Sequence, residues 1–156
     1  MKDTAHELQE IVSRYAISLA AIPESDFSLN PNPGKWSRKE VLGHLVDSAQ
    51  NNLRRFICGQ YESQPPHIIY EQDFWVKANG YQNLTGLEVI TLWKLLNNQI
   101  ATVISTMPAA NGKRLCDTGR ETASLHTIEW LAEDYVKHLK HHLNQIIPGS
   151  FNISYP

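Results

Sequence analysis

With 156 residues, 42% of them hydrophobic and 19% charged, the chain is long enough to bury one core and too short for two ordinary domains, so residues 1–156 are expected to form a single domain. Its formal charge of -2, with no cluster of Lys and Arg, offers no basic face to nucleic acid or to an anionic membrane. No window approaches the roughly 18 apolar residues of a membrane span, and the segment from Met1 to Leu8 lacks the apolar core of a signal peptide, which predicts a cytoplasmic protein.

The first periodic segment, about residues 4–21, puts Leu8, Ile11, Val12, Tyr15 and Leu19 on one helical stripe ahead of Pro23. A second helix is announced by a capping box, Ser37 with Glu40, and by Trp36 and Val41 in the positions of a hydrophobic staple. It is expected to turn Val41, Leu42, Leu45, Ala49, Leu53 and Phe56 inward and to stop at Gly59. The third repeats the device with Thr85 and Glu88 between Leu84 and Val89, then carries Ile90, Trp93, Leu96, Ile100, Val103 and Ile104 toward Pro108. The fourth starts near Ser124 or Thr127 and ends before Pro148. Four such amphipathic helices predict an all-α four-helix bundle. The connections between them are long for a simple up-and-down bundle, so at least one is expected to cross over. The aromatic and polar stretch 59–84 reads as an ordered lid, and 109–123 as a short hairpin. Cys58 and Cys116 lack CxxC spacing and are read as small buried hydrophobes of a reduced protein, not as nucleophiles.

The chemistry sits in the histidines. His138 and His142 are four apart, hence on one helix face, and two imidazoles at that spacing can grip one metal ion. Stepping about 100° per residue from His138, the inward residues Leu131, Tyr135, Ile128, Ile146 and Leu139 occupy an arc of roughly 20° to 100°. His142 falls inside it at about 40°, and His141 falls near -60° with Asp134 and Lys137, on the side expected to face solvent. His44 borders the inward stripe of the second helix and is the candidate third ligand. The bland alternative is three partly buried histidines, each bonded to a neighbour. An inward imidazole without a partner costs about 1–3 kcal/mol, which favours a common one. Three neutral imidazoles without thiolate or carboxylate suit Zn, Ni or Fe rather than Mg or Ca.

Lys35-Trp36-Ser37, Glu40-Val41-Leu42-Gly43-His44-Leu45-Val46-Asp47-Ser48, Arg54-Arg55-Phe56, Tyr70-Glu71-Gln72-Asp73-Phe74-Trp75 and His138-Leu139-Lys140-His141-His142 follow one another in an order and spacing that resembles the DinB/YfiT-like family of metal-dependent enzymes, in the branch that includes thiol-dependent S-transferases. The resemblance covers essentially the whole chain. It implies a four-helix bundle of up-down-down-up course, one divalent metal on His44, His138 and His142, and a homodimer. It also implies transfer of a low-molecular-weight thiol of the bacillithiol type to an electrophilic small molecule. A metal-dependent hydrolase and a non-catalytic metal- or ligand-binding bundle are the alternatives. Within this frame Asp47 either orients an imidazole or is an exposed helix carboxylate. Arg54 and Arg55 either bind a carboxylate-bearing thiol or serve the helix end. Tyr70, Glu71 and Trp75 are expected to line the pocket mouth, with packing beneath the lid the alternative for Trp75. His67 and His126 are read as surface residues, and His6 is left unassigned.

Overall fold

The computed structural model describes residues 1–155, and it is a bundle of four long helices. Helix α1 (Lys2–Ala20) buries Ala5, Leu8, Ile11, Val12, Tyr15 and Leu19, the stripe its periodicity predicts. A one-turn helix, α2 (Glu24–Ser28), inserts Phe27 into the core. Helix α3 (Arg38–Tyr61) opens with Ser37 and Glu40 capping each other reciprocally. It does not stop at Gly59. The helix runs on to Tyr61 with Gly59 outside the left-handed region a helix stop uses, and the glycine serves close approach instead: a Cβ there would stand 2.8 Å from both Cys116 Sγ and Ile128 Cδ1.

The long connection after α3 holds a two-turn helix, α4 (Gln72–Asn79), and a 3₁₀ turn (Tyr81–Asn83). Helix α5 (Gly86–Thr106) begins with the second capping box, Thr85 with Glu88, and a single turn, α6 (Ala109–Gly112), follows it. The hairpin is displaced from its expected place. Strand β1 (Leu115–Asp117) pairs antiparallel with β2 (Leu125–Thr127), which leads directly into α7 (Ile128–Ile146), where Thr127 accepts from the Trp130 amide as N-cap.

Side-chain contacts give the course of the helices. The buried ammonium of Lys39, at the start of α3, donates to Glu24 (2.8 Å) and to the Leu84 carbonyl (2.7 Å), just before α5. The other Glu24 oxygen accepts from the Gly86 amide at 2.8 Å, and these bonds hold the Glu24 carboxylate down at a pKa of about 2. The beginnings of α3 and α5 and the chain leaving α1 therefore meet at one end, so α3 and α5 run alongside in the same direction and α1 runs opposite. His138 and His142, late in α7, meet His44, early in α3, so α7 also opposes α3. The course is up-down-down-up, and the connection between α3 and α5 is the crossover.

That connection is strapped down. Arg55 donates through Nε (3.1 Å) and Nη2 (2.6 Å) to the Ile68 carbonyl. Arg114 reaches the Gly59 carbonyl (2.7 Å) and the Glu62 carbonyl. Arg120 bonds Glu71 (2.8 Å) and the Tyr70 carbonyl (3.1 Å). With α5, α7 and the crossover around it, α3 is buried on every side over residues 41–49, which makes it the central helix.

Gly43 is where the crossover touches α3: a Cβ on it would stand 2.1 Å from Tyr81 Cδ2, inside the ring's van der Waals envelope. Gly43→Ala is expected to destabilise the fold by about 2–3 kcal/mol, a fall in Tm of roughly 5–10 °C by thermal denaturation. An unchanged Tm would mean that Tyr81 does not pack there.

Candidate metal centre

The antiparallel pairing of α3 with α7 brings His44 against His138 and His142, although 94 residues separate the first two. The Nε2 atoms of His44 and His138 are 3.3 Å apart. The three candidate donor nitrogens all lie within 4.8 Å of one another. Ring centroids stand 4.6 Å apart for His44 and His142 and 4.4 Å apart for His138 and His142, each pair edge to face. Two imidazole nitrogens bound tetrahedrally to a zinc-sized ion are about 3.3 Å apart, so the closest pair already has ligand spacing.

The outer nitrogens are held differently in each ring. His142 Nδ1 lies 3.0 Å from Gln145 Oε1, and the same amide offers Nε2 to His141 at 3.0 Å. A carbonyl oxygen can only accept, so His142 carries its hydrogen on Nδ1 and leaves Nε2 with a free lone pair. His138 Nδ1 has the Ser48 hydroxyl at 3.5 Å. His44 Nδ1 is buried and has no partner among the protein atoms.

Burial keeps all three rings uncharged. Desolvation, then the neighbouring His142, lowers the His44 pKa to about 3. Desolvation again dominates at His138, followed by His142 and His44, and takes it to about 2. His142 is also lowered, mainly by burial and against the favourable contact with Gln145. Neutral rings, two with their outer nitrogen beside a bonding partner and all with converging inner nitrogens, fit a borderline divalent cation, and no carboxylate dilutes its charge. His44, His138 and His142 would hold it.

His142 opens onto a groove of about 890 Å³, bordered by Lys35, Trp36, Arg38, Gln72, Asp73 and Gln145. Trp36 belongs both to this groove and to the centre, its ring 5.2 Å from that of His44.

The other expected site residues are placed less centrally. Asp47 is buried, not exposed, and its Oδ1 accepts from Tyr81 (2.6 Å) and Asn79 (2.8 Å); no imidazole bonds it directly. Arg54 is exposed and does not border the groove. Arg55 spends its guanidinium on Ile68 and on Asn52 (3.2 Å), holding the lid instead of facing the groove. Tyr70 and Trp75 pack edge to face at 5.5 Å, and the lid lines the groove through Gln72 and Asp73 instead. Glu71 bonds Arg120. His141 is half-buried, not freely solvated. His67 bonds the Gly119 carbonyl at 2.7 Å, and His126 stacks on Trp130 at 3.9 Å.

Two neighbours escaped sequence reasoning. Gln145 lies three residues beyond His142, a spacing that could have drawn attention to it. Tyr155 returns along α7, its ring 5.6 Å from both His138 and His141 and its hydroxyl 3.2 Å from Asp134. No local pattern announces that return.

Known proteins resemble this chain in sequence and in fold. The model of the DinB superfamily matches residues 7–146. A relative from Geobacillus thermodenitrificans, named as a candidate metal-dependent hydrolase, is 26% identical over 149 residues, spanning 94% of this chain and 82% of the relative. YfiT of Bacillus subtilis, named in the same way, is 22% identical over 139 residues, spanning 89% of this chain and 78% of YfiT. The solved structure of YfiT, described as an unusual four-helix bundle, superposes with a TM-score of 0.82 at 23% identity over 93% of this chain and 83% of that one. A mycothiol-dependent maleylpyruvate isomerase variant shares the fold at a TM-score of 0.72 and 10% identity, over 90% of this chain and 58% of that one.

The neutral rings set an acid limit. His44 and His138 have folded pKa values far below the ordinary 6.5, so as pH falls below 6.5 the unfolded chain takes up protons that the folded chain refuses. Each costs up to about 1.4 kcal/mol of stability per pH unit. Asp47 opposes them: burial raises it to about 6, so its protonation below that pH relieves a penalty, but one carboxyl does not offset two imidazoles. The Tm of EDTA-treated protein is expected to fall from pH 7 to pH 5, and less steeply in His138→Gln. A flat profile would mean that these rings are not held neutral in the fold.

Proposed function

The chain belongs to the DinB superfamily, and we propose that it is a metal-dependent enzyme acting on a small molecule, a hydrolase whose single divalent ion is held by His44, His138 and His142. The observation that carries this reading is the convergence of three neutral imidazoles beside an open groove, two of them with Nε2 atoms 3.3 Å apart. The names of the relatives support the reaction class. When bound, zinc, nickel or iron supplies Lewis acidity at a position the protein leaves open, lowering the pKa of water or of a thiol placed there.

The chain's own residues supply the rest. Gln145 fixes the His142 tautomer, and burial removes protons that would compete with the ion. Trp36 covers His44 on the groove side and offers an aromatic wall to a ligand. Lys35 and Arg38 share the groove with Asp26 and Asp73, so it recognises polar small molecules by local pairing and not by one overall sign of charge.

A second reading, transfer of a low-molecular-weight thiol to an electrophile, uses the same open position. It is favoured by Lys35 and Arg38, which suit the carboxylates of a small thiol. The two readings separate by assay. Protein loaded with zinc, nickel or iron is expected to turn over members of an ester and amide panel without added thiol, and His142→Ala to lose about a hundredfold or more of that rate. Turnover that appears only when a small thiol and an electrophile are supplied would replace hydrolysis by transfer. A loaded protein that binds ligands and turns over neither panel would be a binding module.

A further inference from the structure

One stripe of α3 is polar where the helix is buried. His44, Ser48, Asn52 and Arg55 fall within an arc of about 80°, and the first three are at most 7% exposed. Apolar side chains at these places would pack the core without desolvating polar groups, so the stripe is to be accounted for by what it bonds.

Its bonds form one chain in which the donors are fixed. Arg55, which can only donate, holds the Ile68 carbonyl of the crossover and gives Nη1 to Asn52 Oδ1 at 3.2 Å. That sets the sense of the Asn52 amide, and its other side agrees: Nδ2 donates to the Ser48 carbonyl, which can only accept, at 2.9 Å. The same Nδ2 lies 3.3 Å from Ser48 Oγ. Ser48 Oγ stands in turn 3.5 Å from His138 Nδ1, and among the described residues it is the one protein partner of that nitrogen. His138 Nε2 lies across the ring, 3.3 Å from His44 Nε2.

A neutral imidazole that gives Nε2 to an ion carries its one hydrogen on Nδ1. At His138 that hydrogen meets Ser48 Oγ, which has one lone pair turned to Asn52 and the other free for the ring. The 3.5 Å separation is long for such a bond, but a hydrogen on Nδ1 has no other acceptor in the protein, and a buried donor left alone is costly. We propose that Ser48 is a positioning residue of the metal centre: its hydroxyl, steadied by Asn52 and through it by Arg55, accepts the Nδ1 hydrogen of His138 and so keeps Nε2 bare and aimed at the ion. This deepens the proposed function and rests on His138 being a ligand in that reading. Arg55 then serves two ends, seating the crossover at Ile68 and bracing the outer nitrogen of a ligand.

Ser48→Ala removes the acceptor at a helical position that suits alanine, so the Tm without metal is expected to stay within a few degrees of wild type. The affinity of the EDTA-treated variant for Co²⁺ is expected to fall about 10–100-fold. In the Co²⁺-loaded protein, the exchangeable Nδ1 hydrogen of His138, displaced by the paramagnetic ion in the NMR spectrum, is expected to exchange faster with water, while that of His142, held by Gln145, keeps its rate. Asn52→Leu, which leaves the hydroxyl present but unsteadied, is expected to fall between the two. A role confined to packing would lower the Tm and move neither the affinity nor the exchange. The proposal is overturned by a folded Ser48→Ala with wild-type Co²⁺ affinity and unchanged exchange at His138. It is equally overturned by ¹⁵N spectra of loaded wild type in which His138 meets the ion through Nδ1. Should wild type take up no ion, the metal reading fails on its own. The hold of Ser48 is then decided in metal-free protein, where Ser48→Ala has to shift the His138 Nδ1 resonance and leave that of His142 in place.

Discussion

Three imidazoles kept uncharged by burial where the core meets the groove, with their inner nitrogens converging, impose the constraint around which the rest of the molecule is arranged. A hydrogen shared between His44 and His138 resolves one pair of facing lone pairs, and His142 leaves a third with no hydrogen of its own. A cation resolves all three together. Charging the rings is the costly alternative, because burial opposes it and each ring repels the next.

Holding those rings together is long-range work. His44 comes from the start of the central helix and the other two from the end of the last helix, so the spacing depends on the opposed course of α3 and α7. That course depends in turn on the crossover. Lys39 and Glu24 tie together the beginnings of α3 and α5 and the chain leaving α1, while Gly43 lets Tyr81 close on α3 beside His44. The arginines that suggested ligand binding serve this framework: Arg55, Arg114 and Arg120 each fasten the crossover to a neighbouring element through backbone carbonyls.

What was legible in the chain was what is local. Both capping boxes and the HxxxH pair depend on residues three or four apart, and the structure forms them as read. Gly59 shows the limit: a glycine near a helix end reads as a stop, whereas here it admits Cys116 and Ile128 from elements distant in sequence. Asp47 shows it again, since a carboxylate on a helix reads as exposed until the crossover delivers Tyr81 and Asn79 to cover it. The displaced hairpin has the same origin, because its second strand is defined by pairing with β1 and not by periodicity. Tyr155 was invisible for the same reason: its place beside His138 is set by the path of the chain after α7.

The claim on which the account stands is that the three rings bind one ion as a set. Elemental analysis of protein purified without an affinity tag or added metal, alongside His138→Ala and His142→Ala, tests it most directly. Wild type is expected to carry close to one zinc, nickel or iron per chain, and both variants to lose that metal. A well-folded wild type that takes up no divalent ion, even after reconstitution, would contradict it and leave three structural histidines.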